Sequence, residues 1–167
     1  MDGLVSRLKQ CWRRLNALQH RPDDLRFALQ LGWFLWRAPS GMQASHLAEL
    51  LDQTARLPRP AAPSPQAGLE RILRLSGPWL RLPWLCARNT CYLRALLLYR
   101  FLDPGDQPMQ IVYAVEPAPT PGARLRGHAW VSVGGQPLGL EDNTIPARSR
   151  PLYVHPQQPR HGRPTHG

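Results

Sequence analysis

The chain has 167 residues, 43% hydrophobic and 19% charged, a balance that supplies one domain with a real core and excludes global disorder. Its 19 prolines and 13 glycines exclude a bundle of long unbroken helices. The net charge of +10 rests almost wholly on arginine, with Lys9 the only lysine. The arginines are scattered from Arg7 to Arg163 with no run longer than Arg13-Arg14, so the charge reads as a compositional habit and no nucleic acid is expected as a partner.

Taken in chain order, Leu4, Val5, Leu8, Trp12, Leu15 and Leu18 give residues 4–20 the spacing of an amphipathic helix with a basic far face. Arg21-Pro22 interrupts it, and Asp23 and Asp24 then supply the acid that a helix start favours, so 23–37 reads as a second helix with a wide apolar face. That face either packs on the rest of the chain or, with Trp33 and Trp36, meets a partner. Residues 43–56 form a third helix with Leu47, Leu50 and Leu51 on one side. Pro58, Pro60, Pro63 and Pro65 mark a linker over 58–66. A helix of eight to ten residues is predicted to start near Gly68 and to stop at Gly77-Pro78, with Pro83 a further breaker. Leu93, Leu96, Leu97 and Phe101 then give a helix headed by Cys91, with Asn89 or Thr90 as its cap and Asp103-Pro104-Gly105 as its stop.

Beyond residue 105 the period changes from helical to alternating. QIVYAVE (110–116) is apolar on both faces and reads as a central strand. A Pro-rich loop leads to GHAWVSV (127–133), and Gly134-Gly135 is a two-residue hairpin turn into a returning strand over 136–142. A short strand over 152–154 follows, and the tail is expected to be disordered. The organisation expected is therefore a helical region over 1–57, the linker 58–66, a second unit over 67–155 and a tail over 156–167. No apolar run reaches the ~18 residues that span a bilayer. The N-terminus also lacks a signal-peptide core, so the expected location is cytoplasmic.

Cys11, Cys86 and Cys91 lack Cys-x2-Cys spacing and cannot form a complete disulfide set, so reduced thiols and no metal are expected. A cysteine in the first turn of a helix feels the positive end of the helix dipole and unpaired backbone N–H groups, which favour the thiolate. Taken alone, Cys91 reads as a small core residue. The hairpin adds a second element. A two-residue turn sets Val133 against Gln136, Val131 against Leu138 and Ala129 against Leu140 on one apolar face. Trp130 and His128 then lie on the other face, with His128 opposite Glu141. Asp142 points the other way unless a bulge re-aims it. A carboxylate beside an imidazole fixes its tautomer and stabilises its charged form.

These runs, NTCYLRALLLYRFL, then IVYAV, then GHAWVSVGGQPL, resemble the lasso-peptide leader peptidases, the family called the microcin-processing B protein C-terminal domain. The similar positions are Cys91, Leu93, Arg94, Ala95, Leu96 and Tyr99 on the helix and Gly127 to Val131 on the strand, within about residues 70–154. The resemblance implies an α+β, transglutaminase- or papain-like cysteine protease in which a Cys-headed helix packs on a small antiparallel sheet, here preceded by a helical N-terminal region. It implies Cys91 as nucleophile and His128 as general base and acid. The acid that orients His128 is Asp142 by family habit or Glu141 by strand pairing. Oxyanion donors are the Cys91 N–H and a second group for which Asn89 is a candidate.

The reaction implied is removal of the leader from a ribosomally made precursor peptide, with no cofactor. The N-terminal half lacks the strands of the family's leader-binding domain. The chain therefore resembles the stand-alone form, which works with a separate leader-recognition protein and a macrolactam synthetase. An acyltransferase or amidase with the same triad, and a catalytically silent scaffold, are the competing readings.

Overall fold

The computed structural model describes residues 21–38, 44–86, 90–117, 126–140, 145 and 149–156, with the backbone alone at 44–46, 86 and 90. In order these form α1 (Pro22–Arg37), α2 (Ala44–Arg56), α3 (Pro65–Leu80), α4 (Pro83–Cys86), α5 (Thr90–Phe101), β1 (Met109–Glu116), β2 (Arg126–Val133), β3 (Gln136–Leu138) and β4 (Arg150–His155). The helix expected over 4–20 and the tail expected beyond Pro156 lie outside the described residues. No described helix is long and apolar enough to cross a membrane.

The sequence of α5, TCYLRALLLYRF, is apolar on every side, and such a helix must be enclosed by other elements. Leu93, Ala95, Leu96, Leu97, Leu98, Tyr99 and Phe101 are all buried. One side of α5 meets Ile111, Tyr113, Ala129 and Val131 of the sheet, and the others meet Phe27, Leu31 and Leu35 of α1, Leu51 of α2 and Ile72 and Leu75 of α3. The result is the expected α+β class, with a helical layer, a central helix and a sheet. Full burial of each such leucine contributes roughly 1.5–3 kcal/mol. Helices α1 and α2 thus share one core with the elements beyond the Pro-rich stretch.

Helix α3 runs longer than the Gly77-Pro78 signal predicts. It starts earlier because the Ser64 hydroxyl accepts the Ala67 N–H at 3.2 Å and Pro65 occupies the first turn, where a missing N–H is harmless. It also continues through Pro78 to Leu80. Pro78 forfeits one backbone bond, but the extra residues bury Leu80 and lay the Trp79 ring on Gly32 of α1. The same two helices are joined by Asp24, which accepts from Arg71 Nε at 2.8 Å and Arg74 Nη2 at 3.1 Å.

All strands are antiparallel in the order β3-β2-β1-β4, so β1 is central as its two apolar faces predict. Gly134 and Gly135 have φ of +57° and +85°, the left-handed pair that a tight hairpin requires. Val133 pairs with Gln136 and Val131 with Leu138 as expected. The returning strand, however, ends at Leu138 instead of reaching 142. Gly139 has φ +83° and sends Leu140 to the face of Val112, Ala114, Trp130 and Val154, away from Ala129. The last strand is longer than predicted and pairs with β1 along Arg150–His155.

A seam of phenols joins α5 to the sheet, with Tyr92–Tyr113 and Tyr113–Tyr153 ring centroids 5.7 and 6.1 Å apart. His155 closes it, with Nε2 3.2 Å from Asp52 Oδ1 of α2 and Nδ1 3.3 Å from the Tyr153 hydroxyl.

Two outcomes follow from this packing. A Cβ on Gly32 would stand 2.6 Å from the Trp79 ring. Gly32→Ala therefore lowers stability by about 1–3 kcal/mol in denaturant melts, although helix propensity alone favours alanine by roughly 1 kcal/mol. Burial pushes the Tyr113 hydroxyl far above the ordinary phenol range and raises Tyr92 and Tyr99 as well. The folded chain keeps protons that the unfolded chain releases near pH ~10, so stability falls as pH rises beyond that point. Ultraviolet titration should show these phenols ionising together with loss of near-UV circular dichroism; independent ionisation near pH ~10 would contradict the seam.

Candidate catalytic site

Cys91 is the second residue of α5, in its first turn. The thiol is half-buried, forms no disulfide and packs against the main core. It donates to the Gly127 carbonyl at 3.7 Å, so the head of the helix sits against the strand residue immediately before His128. The ladder between β2 and β3 stops at Val131–Leu138, which leaves the Gly127 end of β2 without β3 as a neighbour.

His128 pairs with Ala114 of β1, while Glu116 pairs with Arg126. His128 and Glu116 are thus diagonal neighbours, within reach of long side chains on one face of an antiparallel pair. His128 Nε2 lies 3.5 Å from Glu116 Oε2, with side chains 23% and 30% exposed. The separation is ion-pair reach, but Nε2 is buried without a hydrogen bond in this geometry, so a small rotation of either side chain is needed to close one. A carboxylate at Nε2 leaves Nδ1 as the other ring nitrogen; the imidazole stands on the sheet face of Ala114 and Trp130, whereas α5 packs on the opposite face through Ala129 and Val131.

Glu116 was not among the residues singled out by sequence reasoning. The signal that finds it is strand register, which the Pro-rich loop between β1 and β2 conceals. Glu141 and Asp142 lie outside the described residues, as do Asn89, Cys11 and the side chain of Cys86. Among the described residues the β2–β3 pairing that would set Glu141 opposite His128 runs only as far as Val131–Leu138. Among the described residues no group of three or more His, Cys, Asp or Glu is placed to hold a metal.

A cavity of about 490 Å³ opens one helical turn along α5 from Cys91, between α3, α5 and the end of β3. Arg94 lines it and donates to the Gly139 carbonyl at 3.4 Å. Arg81, Leu140 and the buried, unpartnered hydroxyl of Ser76 complete a wall of mixed polarity. Such a wall suits a peptide, with its alternating amides and apolar side chains.

Residues 28–153 match the transglutaminase-like superfamily, and the chain belongs to it. The superfamily includes cysteine proteases and acyltransferases, and a cysteine-headed helix against an antiparallel sheet accords with that scaffold. The match does not extend to the narrower leader-peptidase family. No curated protein and no solved structure matches the chain.

Gly139 holds the chain end of β3 against α5, where a Cβ would stand 2.5 Å from Leu98 Cδ1. Gly105 also has a positive φ, of +60°, but faces open space. Gly105→Ala should cost about 1–2 kcal/mol of backbone strain, and Gly139→Ala about 1–3 kcal/mol more from the clash. Equal losses in urea titrations would show that β3 does not press on α5.

Proposed function

We propose that the protein is a cysteine peptidase that removes the leader from a ribosomally synthesised precursor peptide. The observation that carries this reading is the Cys91 thiol in the first turn of a buried helix, 3.7 Å from the carbonyl beside His128, whose Nε2 faces Glu116. The Cys91 thiolate attacks the scissile carbonyl, and the backbone N–H of Cys91 is one donor to the oxyanion. The proton taken up by His128 passes to the departing amine as the C–N bond breaks. Water deprotonated by His128 then opens the thioester, returning the thiol and releasing the new carboxylate. Glu116 joins Asp142 and Glu141 as an acid proposed to orient His128, because of the three it is the one whose carboxylate is described within ion-pair reach. A separate leader-recognition protein and a macrolactam synthetase are the proposed partners, on the resemblance of the Cys91 helix and the GHAWV strand.

Iodoacetamide alkylation against pH, mapped by mass spectrometry, tests the pair. Cys91 should react ahead of Cys11 and Cys86 at neutral pH and lose that preference in His128→Ala. Glu116→Gln should lower the rate of leader removal by about 10–100-fold while Cys91 remains alkylatable, an effect of the size that general acid–base positioning gives. A Cys91 that reacts no faster than the other thiols favours the silent scaffold. Transfer of the acyl group to an added amine, with no hydrolysis, favours the acyltransferase that the superfamily also contains.

A further inference from the structure

A second cavity lies at the opposite end of α5 from Cys91. It encloses about 750 Å³ between α1, α2, the C-terminal turn of α5 and the stretch 57–60. Trp33, Phe34 and Phe101 form its apolar wall, and Arg37, Arg59 and Arg100 its charged one. Trp33 remains 57% exposed although it belongs to a helix whose other face is in the core. The Arg37 guanidinium stands 5.4 Å from the Trp33 ring.

Among the described residues no aspartate or glutamate lines this cavity. The nearest carboxylates of α2 are engaged elsewhere: Asp52 Oδ1 lies 3.2 Å from His155 Nε2, and Glu49 accepts from Gln53 at 3.2 Å. Arg59 and Arg100 face one another closely enough that burial, and then their mutual repulsion, lowers the Arg100 pKa. Arg59 Nε is buried without a hydrogen-bond partner. Two neighbouring cations with an unused donor form a site that a carboxylate would neutralise. The aromatic wall makes the fitting ligand an acid next to an apolar side chain rather than a bare polyanion.

We infer that this groove binds an acidic, apolar segment of the peptide substrate at a distance from the bond that is cut. The inference rests on the peptidase reading above. Arg100 follows Cys91 by nine positions on one helix, which separates groove and thiol by about 14 Å. An extended peptide covers that span with about four residues. The recognised segment therefore lies at least that far from the scissile bond.

The test is direct binding to the full-length Cys91→Ala protein, which requires no turnover and so fails or succeeds independently of catalysis. The probe is a fluorescein-labelled peptide of leucine, phenylalanine and glutamate, with a lysine-for-glutamate counterpart and a labelled oligothymidylate as alternatives. Saturable anisotropy is expected for the glutamate peptide alone. Arg59→Gln and Arg37→Gln should each weaken it about tenfold, as loss of a charged hydrogen bond does. Trp33→Ala, at an exposed position, should do likewise and serves where Arg59→Gln fails to fold. Equal binding of both peptides, or indifference to the three variants, overturns the proposal. Tighter binding of oligothymidylate gives the groove to nucleic acid. Loss of binding through dimer formation in sedimentation gives it to a second copy, and binding seen only after removal of residues 1–20 gives it to that segment.

Discussion

The enclosure of α5 is the constraint on which the rest depends. A helix with leucines and tyrosines around its whole circumference has no solvent face to offer, so it has to be surrounded. The sheet covers one side and α1 to α3 cover the others. The stretch with Pro58, Pro60 and Pro63 between α2 and α3 therefore joins parts of one core. Asp24 with Arg71 and Arg74, and Asp52 with His155, add polar links at the periphery of that core.

From that enclosure follows the position of Cys91. A thiol on a loop would move with the loop, whereas Cys91 belongs to an element fixed along its length by Leu93, Leu96 and Leu97. Strand β2 is fixed on the same helix through Ala129 and Val131, so the distance from the helix head to Gly127 is set by core packing. The imidazole and Glu116 lie on the sheet face with Ala114, where strand register brings them together. Rigid support of this kind is what the proposed nucleophile and base require.

The fold was legible where local chemistry decides. Gly134-Gly135 sets the hairpin because two left-handed positions in succession demand glycine, and the change from helical to alternating period marks the start of the sheet. It was illegible where tertiary contacts override local preference. Pro78 reads as a stop, yet Trp79 and Leu80 find enough packing to hold the helix through it. Gly139 reads as an ordinary strand residue, but its backbone rests on Leu98 and turns Leu140 to the other face. Cys91 and His128 stand out from their own neighbourhoods. Glu116 does not, since its relation to His128 depends on a register that passes through a loop rich in proline.

On the proposed reading, one helix joining the thiol and the groove also bears on selectivity. A peptide held at only one end of α5 is bound weakly and leaves quickly. A peptide engaged at both ends experiences its second contact at a high effective concentration, because the intervening helix neither stretches nor bends appreciably. Two modest contacts on a stiff spacer then multiply, and the discrimination is against chains of the wrong length as much as the wrong composition. On that reading an enclosed helix makes spacing itself a recognised property of the proposed substrate.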